Sequence, residues 1–334
     1  MLKRELVAQA VAHQNSGRVP YCIHLVPEAY ELYGDQLLKD YPNKEVQDDL
    51  KAGLINKEQA VCLSIGNHML NVGTAWWEWD YDHTDPVYQD PYDVPAMMPP
   101  ILRVGDNEKI FAQAKYIREK YGVYIISLIF ANHWEKAYFI RGLENFLADI
   151  AGAPEFAAEL LQYITDNNME CLRKTVACPD YDAILLGSDW GTQRDLIMSV
   201  KSWRELIRPG QQVQFDLIRS AGKKVMVHSC GDIVKILDDL TEMGVDILNP
   251  VQPECMDLAF LKENYGDKLT FWGGISTQDT LPYGTPEDVH RETERVIRLM
   301  GEGGGYITCS SQEIQTDVPY ENLKALIDTA KAFA

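Results

Sequence analysis

Short apolar runs rich in β-branched and aromatic residues alternate along this chain with segments whose apolar positions recur every three or four residues. The runs are YCIHLV (21–26), LNVGT (70–74), VYIISLIF (123–130), AILLGS (183–188), KVMVHS (224–229), DILNP (246–250), LTFWGG (269–274) and YITCS (306–310). They read as strands by length and composition. The segments between them carry helix signals. One opens at Pro154 and puts Phe156, Leu160 and Ile164 on one face. Another opens on Thr285-Pro286-Glu287-Asp288, with a hydroxyl cap, a proline in the first turn and an acid three residues after the cap. A last one, over 321–333, spaces Leu323, Leu326, Ile327 and Ala330 helically. Eight strand–helix repeats predict an α/β chain folded as a (β/α)8 TIM barrel. An open doubly wound sheet is the alternative. No glycine-rich fingerprint follows the first strand, however, and GEGGGY (301–306) precedes a strand.

Two segments exceed ordinary connections. Residues 27–69 carry helical patterns and predict an N-terminal helical insertion. Residues 75–100, AWWEWDYDHTDPVYQDPYDVPAMMPP, form a long aromatic loop with three Trp, three Tyr and five Asp. A connection of that length is usually a lid or a binding loop. No repeat or linker interrupts the chain, so residues 1–334 read as a single domain.

Composition narrows the partners. At 46% hydrophobic and 24% charged residues, the sequence has the balance of a globular protein. It has no apolar run long enough for a membrane span, and its first residues lack the apolar core of a signal peptide. A cytoplasmic address is therefore expected, and homo-oligomerisation stays open. The formal charge of −19 opposes binding to nucleic acid or anionic membranes. Seven scattered cysteines do not form a disulfide framework, and metal ligation gains weight for any that meet a histidine. Cys171 and Cys178 fall on a helical pattern and read as packed hydrophobes. Cys255 reads as a loop cysteine near the rim, with an extra metal ligand as its alternative role.

The stretch VMVHSCGD (225–232) carries the chemistry. Strand side chains alternate, so His228 and Cys230 leave the end of their strand on one side. The ends of barrel strands form the active-site face. Closure of a barrel would bring the last strand, with Cys309, to the same rim. One imidazole and two thiolates suit Zn²⁺ and leave a coordination position open. Other strand ends are polar as well. Asp189 is a candidate to orient a substrate or accept its proton, and capping the following helix is its alternative role. Asn132 and His133 are candidates for hydrogen bonds to substrate, or for a local turn. Glu78 is a candidate for the open metal position. Trp190, Gln193, Asn249 and Trp77 complete the expected substrate contacts.

These motifs carry a resemblance. GSDWGTQ (187–193), VHSCGDI (227–233), DILNPVQP (246–253), LTFWGGISTQDTLPYGTPEDV (269–289), GGGYI (303–307) and IQTDVPYENLKAL (314–326) together resemble the uroporphyrinogen decarboxylase superfamily. The resemblance implies a (β/α)8 barrel. The H-x-C-G stretch also occurs in members without metal. The superfamily's zinc methyltransferase branch adds a downstream cysteine, and here 78 residues lie between Cys230 and Cys309, close to that branch's spacing. Decarboxylase members bind an octacarboxylate through arginines near the N-terminus. The corresponding stretch, VPYCIHLVPEAYELYG (19–34), holds no Arg, which disfavours porphyrin decarboxylation.

The branch resembled moves methyl groups to or from the cobalt of a corrinoid. No D-x-H-x-x-G stretch occurs in this sequence, so the corrinoid is expected from a partner protein. The aromatic loop favours an aryl methyl ether as methyl donor, that is, O-demethylation. Methylation of a thiol, coenzyme M-like, is the first alternative. A protein that binds zinc or corrinoid without catalysis is the alternative of another class.

Overall fold

In the computed structural model, residues 1–79, 101–102 and 107–334 are described. Of the aromatic loop, residues 80–100 lie outside the described residues. The apolar runs of the sequence become strands, which in chain order are β1 Met69–Asn71, β2 Trp77–Glu78, β3 Ile101–Leu102, β4 Tyr124–Ile129, β5 Ala183–Gly187, β6 Lys224–His228, β7 Ile247–Asn249, β8 Thr270–Ile275 and β9 Tyr306–Ser310. YCIHLV, expected as the first strand, makes only isolated parallel bridges, Tyr21 to Thr308 and Leu25 to Ile314. Prolines bracket it: Pro20 has no N–H to donate, and Pro27 opens the helix Pro27–Asp40.

The chain divides into two compact units. The first comprises Met1–Val72, Ala112–Ile126 and Asp246–Ala334. In it β1 pairs in parallel with the start of β4, Met69 opposite Tyr124, and β7, β8 and β9 run parallel in that order. The N-terminal insertion is present as the helices Pro27–Asp40, Lys44–Lys51 and Lys57–Ile65. Asn43 and Asn56 cap the second and third of these by accepting backbone N–H groups. Thr285 caps Pro286–Gly301 reciprocally: its hydroxyl accepts from the Asp288 N–H, and the Asp288 carboxylate accepts from the Thr285 N–H at 3.0 Å. The helix buries Val289, Val296, Ile297 and Met300, and it packs against Tyr320–Ala332. Leu323, Leu326 and Ile327 of that last helix are buried as their spacing predicts; each contributes about 1.5–3 kcal/mol.

The second unit comprises Gly73–Phe111 and Ser127–Val245. Here β5 and β6 are parallel neighbours, in register from Ala183 opposite Lys224 to Gly187 opposite His228. The helix Pro154–Val176 buries Phe156, Leu160 and Ile164, with Cys171 two turns further on, and packs against Arg208–Ser220. A buried amide network ties this unit together. Asn168 donates to the Asn132 carbonyl at 2.6 Å, and Asn132 donates to Gln214 at 3.0 Å. Each partner removes an unsatisfied polar group from the interior. Across both units the fold is α/β with parallel strands and intervening helices. No helix among the described residues is long and apolar enough to cross a membrane.

Candidate metal centre

Parallel pairing ends β5 and β6 side by side, and it extends one residue further where the Ser188 N–H donates to the His228 carbonyl at 2.9 Å. Alternation then sends His228 and Cys230 to one side, with Cys230 Sγ 3.5 Å from His228 Nε2. Asp189, leaving β5, brings its carboxylate to the same place. Its Oδ1 lies 3.6 Å from His228 Nε2 and accepts the Cys230 N–H at 2.9 Å. Among the described residues these three form the one group of three whose ligand atoms could hold a metal ion, all within 4.8 Å of one another.

The donor set fits zinc. Zn–S and Zn–N bonds of about 2.3 and 2.1 Å at a tetrahedral angle put the two ligand atoms about 3.6 Å apart. The observed imidazole–thiol separation of 3.5 Å matches that edge.

Two glycines let the strand exits approach this closely. A Cβ on Gly191 would lie 2.6 Å from the Cys230 carbonyl oxygen. Gly231 has φ +82°, and a Cβ there would lie 2.5 Å from backbone atoms of Gly191 and Thr192. Backbone therefore meets backbone, and the Asp232 N–H donates to the Thr192 carbonyl at 2.7 Å. Trp190 N–H adds a bond to Ser229 Oγ at 3.0 Å.

Two residues not singled out in the sequence border the donors. Glu135, at the start of the helix Trp134–Arg141, is buried, and its Oε1 accepts the Asp189 N–H at 2.6 Å. Burial pushes its carboxyl up to about 8, and the nearby Asp189 charge adds to the rise. Phe130 follows β4 and is 57% exposed, with its ring centroid 5.5 Å from that of His228. The next residue, Ala131, has φ +47°, a left-handed conformation that costs a residue bearing Cβ about 1–2 kcal/mol. Phe130 was hidden as the last letter of an apolar run. Glu135 had only one signal, an acid just after a strand end.

Several expected substrate contacts lie inside the protein. Asn132, His133, Trp77 and Trp190 are buried with 0% exposure. Asn132 serves the amide network, and His133 Nε2 lies 3.1 Å from the Thr165 hydroxyl. Burial lowers the His133 imidazole to about 4, so it is neutral. Trp77 donates to Asn168 at 2.7 Å, with the Lys136 ammonium 4.5 Å from its ring centroid. Trp190 packs edge-on against Trp203. These side chains hold the second unit together. Gln193 is exposed and Glu78 half-buried on β2. In the first unit Asn249 donates to the Trp272 carbonyl at 3.0 Å. Cys309 is buried on β9, where burial pushes its thiol up to about 11.

Comparison with known proteins places the chain. A methylated-thiol–coenzyme M methyltransferase from Methanosarcina mazei is 25% identical over 250 residues, 74% of this chain and 64% of that protein. A uroporphyrinogen decarboxylase from Chlorobaculum tepidum is 26% identical over 182 residues, 53% of this chain and 49% of that protein. The chain thus spans about half to two thirds of the length of these relatives. A solved structure described as a methyltransferase from Methanosarcina mazei superposes with a TM-score of 0.71 at 20% identity, covering 100% of this chain and 99% of the other. The fold is therefore shared. Residues 82–333 match the family described as Uroporphyrinogen decarboxylase (URO-D), and the chain belongs to that family.

Proposed function

We propose that this chain is a zinc-dependent methyltransferase that moves a methyl group between a small sulfur compound and the cobalt of a corrinoid held by a separate protein. One observation carries the reading: an imidazole, a thiol and a carboxylate gathered at zinc-like spacing in a chain of this family. His228 and Cys230 would hold the metal. Cys309 is proposed as the third ligand on the pattern H-x-C…C of the methyltransferase branch, and Glu78 stays a candidate for the open position. When bound, zinc supplies Lewis acidity that favours the anionic form of a substrate sulfur. We read the strand–helix alternation as a (β/α)8 barrel.

The chain's own residues supply the rest of the site. Asp189 fixes the Cys230 backbone and faces the imidazole. The exposed Phe130 ring offers an apolar surface for a methyl-bearing group, and Gln193 and Asn249 are candidates for polar contacts. The sulfur reading replaces the aryl ether because the ether rested on the indoles of the aromatic loop. Trp77 and Trp79 are instead engaged inside the second unit, where Trp79 donates to the Lys136 carbonyl at 2.8 Å and stacks on Tyr163. The Methanosarcina mazei relative's printed name points to sulfur as well.

The test uses zinc-loaded protein and methylcobalamin in place of the partner. Adding a small thiol should convert methylcobalamin to Co(I) cobalamin, with the methyl on sulfur and the thiol proton released. In the reverse direction, dimethyl sulfide and an aryl methyl ether are offered to Co(I) cobalamin. Transfer from the ether alone would restore O-demethylation. No transfer with any compound would leave a binding protein without catalysis.

A further inference from the structure

Glu135 is a buried carboxyl that the proposed chemistry does not use. It is 6% exposed, and its Oε2 has no hydrogen-bond partner among the described residues. Burying such an oxygen opposes stability, so the position calls for a reason. Its other oxygen supplies one. Oε1 accepts the Asp189 N–H at 2.6 Å, and Asp189 Oδ1 in turn accepts the Cys230 N–H at 2.9 Å. The residues beside Asp189 also have partners away from Glu135. Ser188 donates to Asn132 at 3.2 Å and accepts from Gln211 at 3.2 Å, and the Trp190 N–H donates to Ser229. Through the Asp189 amide, Glu135 thus reaches the backbone that carries the carboxylate.

We propose that Glu135 is a positioning residue for the metal centre: through the Asp189 amide it fixes the Asp189 carboxylate and hence Cys230, setting metal affinity without touching the metal. The inference rests on the metal-binding reading above. What the clamp needs is an acceptor oxygen. Glu135→Gln keeps one, whereas Glu135→Ala and the volume-conserving Glu135→Leu leave the Asp189 N–H without this acceptor and free the loop to shift. Groups that orient ligands in this way typically change metal affinity about 10–100-fold.

The experiment measures Zn²⁺ affinity by chelator competition, and the absorption of the Co²⁺-substituted protein. It compares wild type, Glu135→Gln, Glu135→Ala, Glu135→Leu, Asp189→Ala and the double variant Glu135→Ala/Asp189→Ala. The expected result is a loss of about 10–100-fold in Glu135→Ala and Glu135→Leu, with a shifted sulfur-to-cobalt band. Glu135→Gln should stay within about threefold of wild type. In the Asp189→Ala background, Glu135→Ala should add less than about twofold, because the link is already cut. Wild-type affinity in a folded Glu135→Ala or Glu135→Leu, or fully additive losses, overturns the clamp. If neither apolar variant folds, Asp189→Ala decides: its side chain is 41% exposed, and unchanged affinity there also overturns the clamp. Absence of metal binding in wild type would instead remove the metal reading itself.

Discussion

His228 and Cys230 owe their meeting to the simplest rule of strand geometry. Two positions apart at a strand end, they must share a side, and the structure places their ligand atoms 3.5 Å apart. Asp189 joins them because register sets the ends of β5 and β6 level, and its place at a strand end makes it a candidate from the sequence alone. Glu135 and Phe130 were not legible there, since their roles depend on which elements lie beside them rather than on local pattern. Phe130 yields a prediction of its own. Phe130→Ala removes an exposed ring beside the imidazole, so stability should hardly change. If the ring carries the methyl-bearing group, KM should rise about tenfold with a smaller change in kcat, the scale expected for losing part of an apolar contact. Steady-state kinetics alongside a melting curve check this, and unchanged kinetics would remove Phe130 from the site.

Elements were legible where local signals were complete. Thr285 with Asp288 marks a helix start before Pro286, and the reciprocal cap is present. Thr285→Ala should cost about 1 kcal/mol in denaturant unfolding, with metal content unchanged. The run YCIHLV failed as a strand because flanking prolines decide the ladder, a constraint that apolar composition does not carry. The indoles of the aromatic loop left two roles open for a related reason. Their residue types allow either stacking on a ligand or packing, and only the partner Asn168 shows that Trp77 packs. Loop geometry was less visible still. Gly231 is required by φ +82° and by a 2.5 Å approach to the neighbouring exit. Gly231→Ala should therefore displace Cys230 and lower zinc content severalfold while the far-UV circular dichroism stays native. Retention of full zinc by that variant would mean that the two exits tolerate separation.

At the scale of the whole molecule, alternating strands and helices point to the α/β class, and the family match over residues 82–333 agrees with the motifs that suggested it. The substrate was less accessible, because the features that choose between sulfur and oxygen are a few side chains around the donors. The proposed function stands on a zinc site with mixed nitrogen and sulfur ligation at His228 and Cys230. Zinc X-ray absorption on the loaded protein tests it most directly. The expected spectrum is that of a four-coordinate shell with nitrogen or oxygen at about 2.1 Å and sulfur at about 2.3 Å. Two sulfurs are expected, falling to one in either Cys230→Ala or Cys309→Ala. A shell without sulfur, or one unchanged by Cys230→Ala, would contradict it.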